Sequence, residues 1–198
     1  MNEQEVATAL HMSRIPVREA LARLKGEGLM QPGYGYRQQV IVYPLNVRAF
    51  EELYDVMEPL ESKAVVRAAE YADAAGVAQL ETAVHAQRAA AEPYRALPFL
   101  DADDQFHRTM AGLVRNPRLH REVELCQDEF YRADRATAGL RPMPDYAIPD
   151  HEEIVAALSD RDARRAWQRV QKHRRRSHDD VLRILRALAL PDNSTSRL

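Results

Sequence analysis

Over residues 11–30 the apolar positions Val17, Leu21 and Leu24 recur at spacings of three and four, with Ala20 beside them. That is the stripe of one helix face. The pattern predicts two short helices, Glu3–Leu10 and Pro16–Glu27. Ser13 is a good N-cap for the second, Pro16 sits in its first turn, where a missing N–H costs little, and Gly28 is placed to end it. Then Gly28, Pro32, Gly33 and Gly35 crowd together ahead of the β-formers Val40, Ile41, Val42 and Tyr43, which predict a strand.

After Pro44 the period changes. Ala and Leu dominate, and apolar residues fall three and four apart. Helices are predicted at 47–71, 74–91, 94–114, 117–135, 149–158 and 160–189. Asn116-Pro117 is a helix start, a capping Asn followed by Pro at the first position. Gly139, Pro142, Pro144 and Pro149 predict a loop over 137–149. The polar end PDNSTSRL, 191–198, reads as a disordered tail. No internal repeat is visible. The fold class expected is mainly α, with a small mixed head ahead of an all-helical antiparallel bundle.

Charge divides the chain at the same place. The 198 residues carry a formal net charge of −2, from 28 basic and 30 acidic side chains. Residues 1–48 hold six basic and four acidic residues; the rest hold 22 and 26. A basic head on an acidic body suggests two jobs. Cys126 is the only cysteine, which excludes intrachain disulfides and a cysteine-rich zinc site and suits a reducing cytoplasm. No apolar run approaches the roughly 18 residues of a membrane span, and no secretory leader is visible at the start. No membrane partner is expected.

Arg14 and Arg18 lie four apart at the start of the second predicted helix, off its apolar stripe. Such a pair is ordinarily only a solvated face. A recognition helix needs the same arrangement, because its N-terminal end enters the major groove, where Arg bonds guanine and Ser bonds phosphate. SRIPVREALARLKGEGLM closely resembles the recognition-helix segment of GntR-family regulators, S-R-x-P-V-R-x-A-L-x-x-L-x-x-E-G-L. Ser13, Arg14, Pro16, Val17, Arg18, Ala20, Leu21, Leu24, Glu27, Gly28 and Leu29 fill every fixed position. The resemblance implies a winged helix-turn-helix at 1–46, with DNA contacts from Ser13, Arg14, Arg18, Gly35 and Arg37. Ile15 stands where the family commonly has Thr, and the wing carries Gly33-Tyr34-Gly35-Tyr36-Arg37 rather than a single Gly. The family's winged helix begins with a further helix and strand, about 20 to 30 residues, so the head is expected to be N-terminally incomplete.

In the body, Asp103 and His107 are four apart and share a helix face. His151 opens the helix at 149–158 beside Ile154, Val155 and Leu158. His173 lies on a face with Ala166, Val170, Ser177 and Val181. Three imidazoles and a carboxylate suit a borderline divalent cation such as Zn²⁺, Ni²⁺ or Mn²⁺, although a lone His on an apolar face is usually a hydrogen-bonded core residue. D-D-Q-F-H (103–107), with Asn116 nine residues on, resembles the D-x-x-F-H…N signature of the FCD ligand-binding domain, the partner of GntR winged helices in the FadR subfamily. D-H-E-E-I-V-A-A-L (150–158) resembles its H-x-x-I-x-x-A-L signature, and His173 is in register. The resemblance implies an FCD domain at 47–190 in which Asp103, His107, His151 and His173 hold a metal that helps bind a small carboxylate effector. Met57 stands where many relatives carry an arginine. Arg108, Arg132 and Arg135 are the candidate effector-binding cations. His11, His85 and His120 read as surface residues. His178 should point away from the inner face and is the reserve ligand. The basic run 161–176 reads as a solvated outer face around one buried His.

These features together imply a cytoplasmic, metabolite-responsive transcriptional regulator. It would bind double-stranded operator DNA as a homodimer on a pseudo-palindromic site. A metal-dependent enzyme is the rival reading, since such a metal can activate water, but no general base is marked beside the four ligands. A third reading is a metabolite-binding dimerisation module without DNA binding.

Overall fold

The computed structural model describes residues 2–26, 29–32, 40–42 and 44–188. The predicted tail at 191–198, the capping Gly28 and the wing residues Gly35 and Arg37 lie outside the described residues. The chain divides into two compact units, Met1–Leu45 and Asn46–Leu198.

The first unit contains α1 (Glu3–Ala9), α2 (Arg14–Gly26) and an antiparallel pair of β1 (Met30–Pro32) and β2 (Val40–Val42). Asn2 and Glu5 form a reciprocal capping box that satisfies the first amides of α1. Leu10 closes that helix, and His11 turns the chain with φ of 54°. α2 starts at Arg14 rather than Pro16. The proline still falls within the first turn, where its missing N–H has no acceptor to serve, so it did not mark the first residue. Ala7, Val17 and Leu21 are buried together, with Val6 and Met30 against them. β1 was not predicted. Its three residues, Met-Gln-Pro, include a proline and show no run of β-formers, and it exists as a strand through its pairing with Val40–Val42.

The second unit is helical: α3 (Val47–Tyr71), α4 (Ala74–Ala91), α5 (Ala96–Gly112), α6 (Pro117–Thr137), α7 (Ala147–Ser159) and α8 (Ala163–Leu188). Asparagine and aspartate side chains start three of them. Asn46 accepts from the Ala49 amide, Asp73 from that of Gly76, and Asn116 from those of Arg118 and Leu119. Arg115 and Arg161 adopt left-handed turns after α5 and α7. The stretch 137–149 is not all loop. α6 runs to Thr137, a single 3-10 turn covers Ala138–Leu140, and α7 begins at Ala147, taking Pro149 into its first turn.

α3 packs along α8 and α6, α4 along α5 and α7, and α7 along α8. Stripes from five helices meet in one core that includes Val65, Leu80, Val84, Phe106, Met110, Ile154, Leu158 and Val170. Phe106 belongs to the D-D-Q-F-H segment. It stacks on the His151 ring, with centroids 3.9 Å apart and planes 11° from parallel. The apolar core therefore continues directly into the histidines. Among the described residues, no helix is long and apolar enough to cross a membrane.

Candidate functional site

α5 contributes Asp103 and His107, α7 contributes His151, and α8 contributes His173. One ligand-type atom from each lies within 4.8 Å of the others. The three histidines are fully buried, and the Asp103 side chain is 13% exposed. His107 Nε2 and His151 Nε2 each stand 3.2 Å from His173 Nε2. Asp103 places Oδ2 3.8 Å from His107 Nε2 and Oδ1 3.7 Å from His151 Nε2.

The other nitrogen of each ring fixes what these short distances mean. His151 Nδ1 is 2.9 Å from Gln87 Oε1. The Gln87 amide cannot be turned round, since its nitrogen donates to Asp103 Oδ1 at 2.9 Å, so His151 must donate from Nδ1. His107 Nδ1 faces Glu61 Oε1 at 3.0 Å, and His173 Nδ1 faces Asp150 Oδ2 at 3.9 Å. Gln87 thereby holds the His151 proton at Nδ1 and turns its Nε2 lone pair toward His173, whereas Nδ1 of His107 and of His173 is left without a hydrogen-bond partner. Burial, then the neighbouring imidazoles and Arg174, keep His151 and His173 well below the usual histidine range, in the neutral form that a ligand requires. Two imidazole nitrogens this close in a dry interior need a proton or a cation between them. For a metal–nitrogen bond of about 2.1 Å, neighbouring ligand atoms are about 3.0 Å apart in an octahedron and about 3.4 Å in a tetrahedron. The two imidazole separations of 3.2 Å fall between these, and the Asp103 oxygens at 3.7 and 3.8 Å stand wider than either, so it is the chemistry of the donor set, three imidazoles and a carboxylate, that suits a divalent ion.

Beside the cluster is a small, half-open cavity of about 10 Å³, room for one water-sized sphere. Asp103, His107, Gln127, Phe130, Tyr131 and Arg174 are among its lining residues. Arg174 corrects the expectation of a uniformly solvated run at 161–176. It is 3% exposed and binds both oxygens of the fully buried Glu61 through Nε and Nη2. Burial alone would raise the Glu61 carboxyl. The charges of Arg174 and His107 outweigh it and hold the carboxyl well below the usual range. Met57 is fully buried one turn before Glu61.

Arg108, Arg132 and Arg135 do not line this cavity. Arg108 pairs with Asp104 and Asp128, at 2.6 Å each. Arg135 pairs with Asp101 at 2.9 Å and donates to the Tyr131 hydroxyl oxygen at 2.7 Å. Arg132 is half-buried on α6. His178 lies apart from the cluster, its ring 4.1 Å from that of Tyr54 and stacked on Phe50. His11 and His85 are exposed, and His120 is half-buried beside Glu124.

Sequence reasoning gave no role to Gln87, Glu61 or Arg174. A signal was there. Glu61 continues the buried stripe Ala64, Val65 and Ala68; Gln87 continues Leu80, Ala83 and Val84; Arg174 falls among Val170, Ser177 and Val181. A polar side chain on such a stripe demands a buried partner.

In the first unit, Ser13 is exposed just ahead of α2. Arg14 and Arg18 are exposed on the first two turns, with side chains 56% and 60% accessible. Both reach Glu3 of α1. Arg18 Nε lies 3.1 Å from each Glu3 oxygen, and Arg14 Nη2 is 3.5 Å from Oε2.

The FCD domain family matches residues 52–176. The chain is 25% identical over 194 residues to the HTH-type transcriptional repressor RspR of Escherichia coli strain K12, covering 93% of this chain and 80% of that one. It is 29% identical over 188 residues to the Nta operon transcriptional regulator of Aminobacter aminovorans, covering 94% and 86%. Among solved structures it resembles E. coli McbR/YncC, with a TM-score of 0.79 at 19% identity over 95% of this chain and 87% of that one. That likeness is one of fold.

Proposed function

The chain belongs to the FCD domain family, and on that premise we propose that its helical unit senses a small carboxylate through a bound divalent metal and thereby controls operator binding by its head. A transcriptional regulator of the GntR/FCD type is its class. The observation that carries the sensing role is the convergence of three buried Nε2 atoms and the Asp103 carboxylate, with the His151 ring and Asp103 both aimed by Gln87.

Asp103, His107, His151 and His173 are the proposed ligands, and Zn²⁺, Ni²⁺ or Mn²⁺ suits three imidazoles and one carboxylate. A bound ion supplies positive charge and open coordination positions for a carboxylate oxygen. Arg174 adds the second cation. It lies on the wall of the adjoining cavity with its guanidinium paired to Glu61, and it joins Arg108, Arg132 and Arg135 as a candidate cation for the effector. The cavity holds about one water, so an effector must move its lining to enter. That requirement gives the ligand unequal affinity for two arrangements of the bundle, which is what a signal needs. In the head, Ser13, Arg14 and Arg18, with Gly35 and Arg37 from the wing segment, are the proposed contacts to double-stranded DNA. Pairing of two heads on a pseudo-palindromic operator makes a homodimer the working form, and the cytoplasm is its place.

Elemental analysis of the purified protein, beside His151→Ala and His173→Ala variants, tests the centre. About one divalent ion per chain is expected in the parent and none in the variants. Equal metal content in all three would refute the site. Operator binding measured against a panel of small carboxylates tests the coupling, and a response that survives removal of the metal would overturn it.

A further inference from the structure

Ile15 is 68% exposed, the most open of the large apolar side chains among the described residues. It is the second residue of α2, a position that the earlier start at Arg14 brings inside the helix. At about 100° per residue, it lies about 200° from Val17, almost opposite the buried stripe of Val17 and Leu21. Arg18 is about 60° and Arg14 about 100° to one side of it. Isoleucine and both arginines therefore share the face and the end of the helix that carry the proposed DNA contacts.

An isoleucine there has a narrow choice of partner. It offers no hydrogen bond to phosphate oxygens or to base donors and acceptors. The two guanidiniums beside it favour a polyanion over an apolar protein surface. In the major groove of a duplex, the apolar group on a base edge is the thymine 5-methyl. We infer that Ile15 reads a thymine methyl group next to the bases engaged by Arg14 and Arg18. This rests on the operator-binding role proposed above.

The test begins with duplexes selected from a random pool by the full chain. Each thymine of a selected site is then replaced singly by deoxyuridine, which deletes the methyl and keeps the pairing edge. At one position per half-site the affinity should fall roughly fourfold, the worth of one buried methyl. The Ile15→Ala variant should bind thymine and uracil duplexes there equally. Its salt dependence should match the parent's, since no phosphate contact is removed. Parent affinity that is indifferent to every replacement, or a thymine preference that persists in Ile15→Ala, would overturn the inference and leave operator binding intact. If the chain retains no duplex at all, the operator-binding role falls and this inference falls with it.

Discussion

Gln87 Oε1 accepts from His151 Nδ1 at 2.9 Å, and the same amide donates to Asp103 at 2.9 Å. One fully buried side chain from α4 thus orients two members of the cluster, neither of which shares its helix. Replacing Gln87 by Leu should leave the four ligands in place but free the His151 ring to turn. Metal affinity should drop by about 10- to 100-fold, the usual loss when such an orienting partner is removed. Competition with a chromophoric chelator measures this. Unchanged affinity would mean that the packing of Phe106 against His151 is enough to aim the ring.

Glu61 and Arg174 make a second test. Glu61→Ala strands a guanidinium that is 3% exposed. The expected cost is about 3–5 kcal/mol, as for other buried pairs broken from one side. Glu61→Leu combined with Arg174→Met should restore most of that stability, because neither charge is then left alone. Urea denaturation of the apo-protein separates the two, and a double variant no more stable than Glu61→Ala would contradict the account.

Cys126 gives a pH dependence. Burial first, and then the negative charges of Glu129, Glu122 and Glu61, push its thiol up to about 11 from an ordinary 9.0. The protonated form therefore dominates throughout the neutral range. Alkylation of the folded protein should be slow at pH 7 and rise about tenfold per pH unit until the thiol ionises. Mass spectrometry of iodoacetamide-treated samples follows it. Fast labelling at neutral pH in the absence of denaturant would show α6 opening from the bundle.

Asn116 caps α6 with two amide contacts, each 3.2 Å long. Asn116→Ala should cost about 1 kcal/mol and Asn116→Asp almost nothing, because the carboxylate accepts the same bonds. Chemical denaturation of the three proteins compares them, and equal midpoints would assign the start of α6 to Pro117 and tertiary packing alone.

The helical body was legible because local signals agreed with the tertiary packing. Apolar spacing and the caps at Asn46, Asp73 and Asn116 define α3, α4 and the start of α6 without help from distant contacts. α5 and α8 came out shorter than periodicity suggested, because Leu113 caps α5 ahead of the left-handed Arg115, and α8 starts only after the left-handed Arg161, where Asp162 accepts from the Arg165 amide. β1 was missed because a strand of three residues is defined by its partner. The four clustered residues were readable as pairs and faces, but their convergence depends on how α5, α7 and α8 pack. Arg174 was misread for a related reason. A charge run looks solvated until a buried acid appears opposite one of its members, and that acid, Glu61, is 113 residues away.

Glu3 holds Arg14 and Arg18 together on the open face of the head. Those two long side chains are thus gathered by a carboxylate before any other anion arrives. In the proposed DNA complex, attachment at this face is an exchange: the incoming phosphate or base displaces Glu3, and part of the entropy of gathering the two arginines has already been lost. The released carboxylate then faces the newcomer with like charge. An anion that reaches only one of the two arginines leaves Glu3 paired with the other and stays close to its repulsion. One that engages both at once displaces the carboxylate fully. In that proposed complex α1 makes no base contact, yet its carboxylate weighs slightly against any anion that engages one arginine alone.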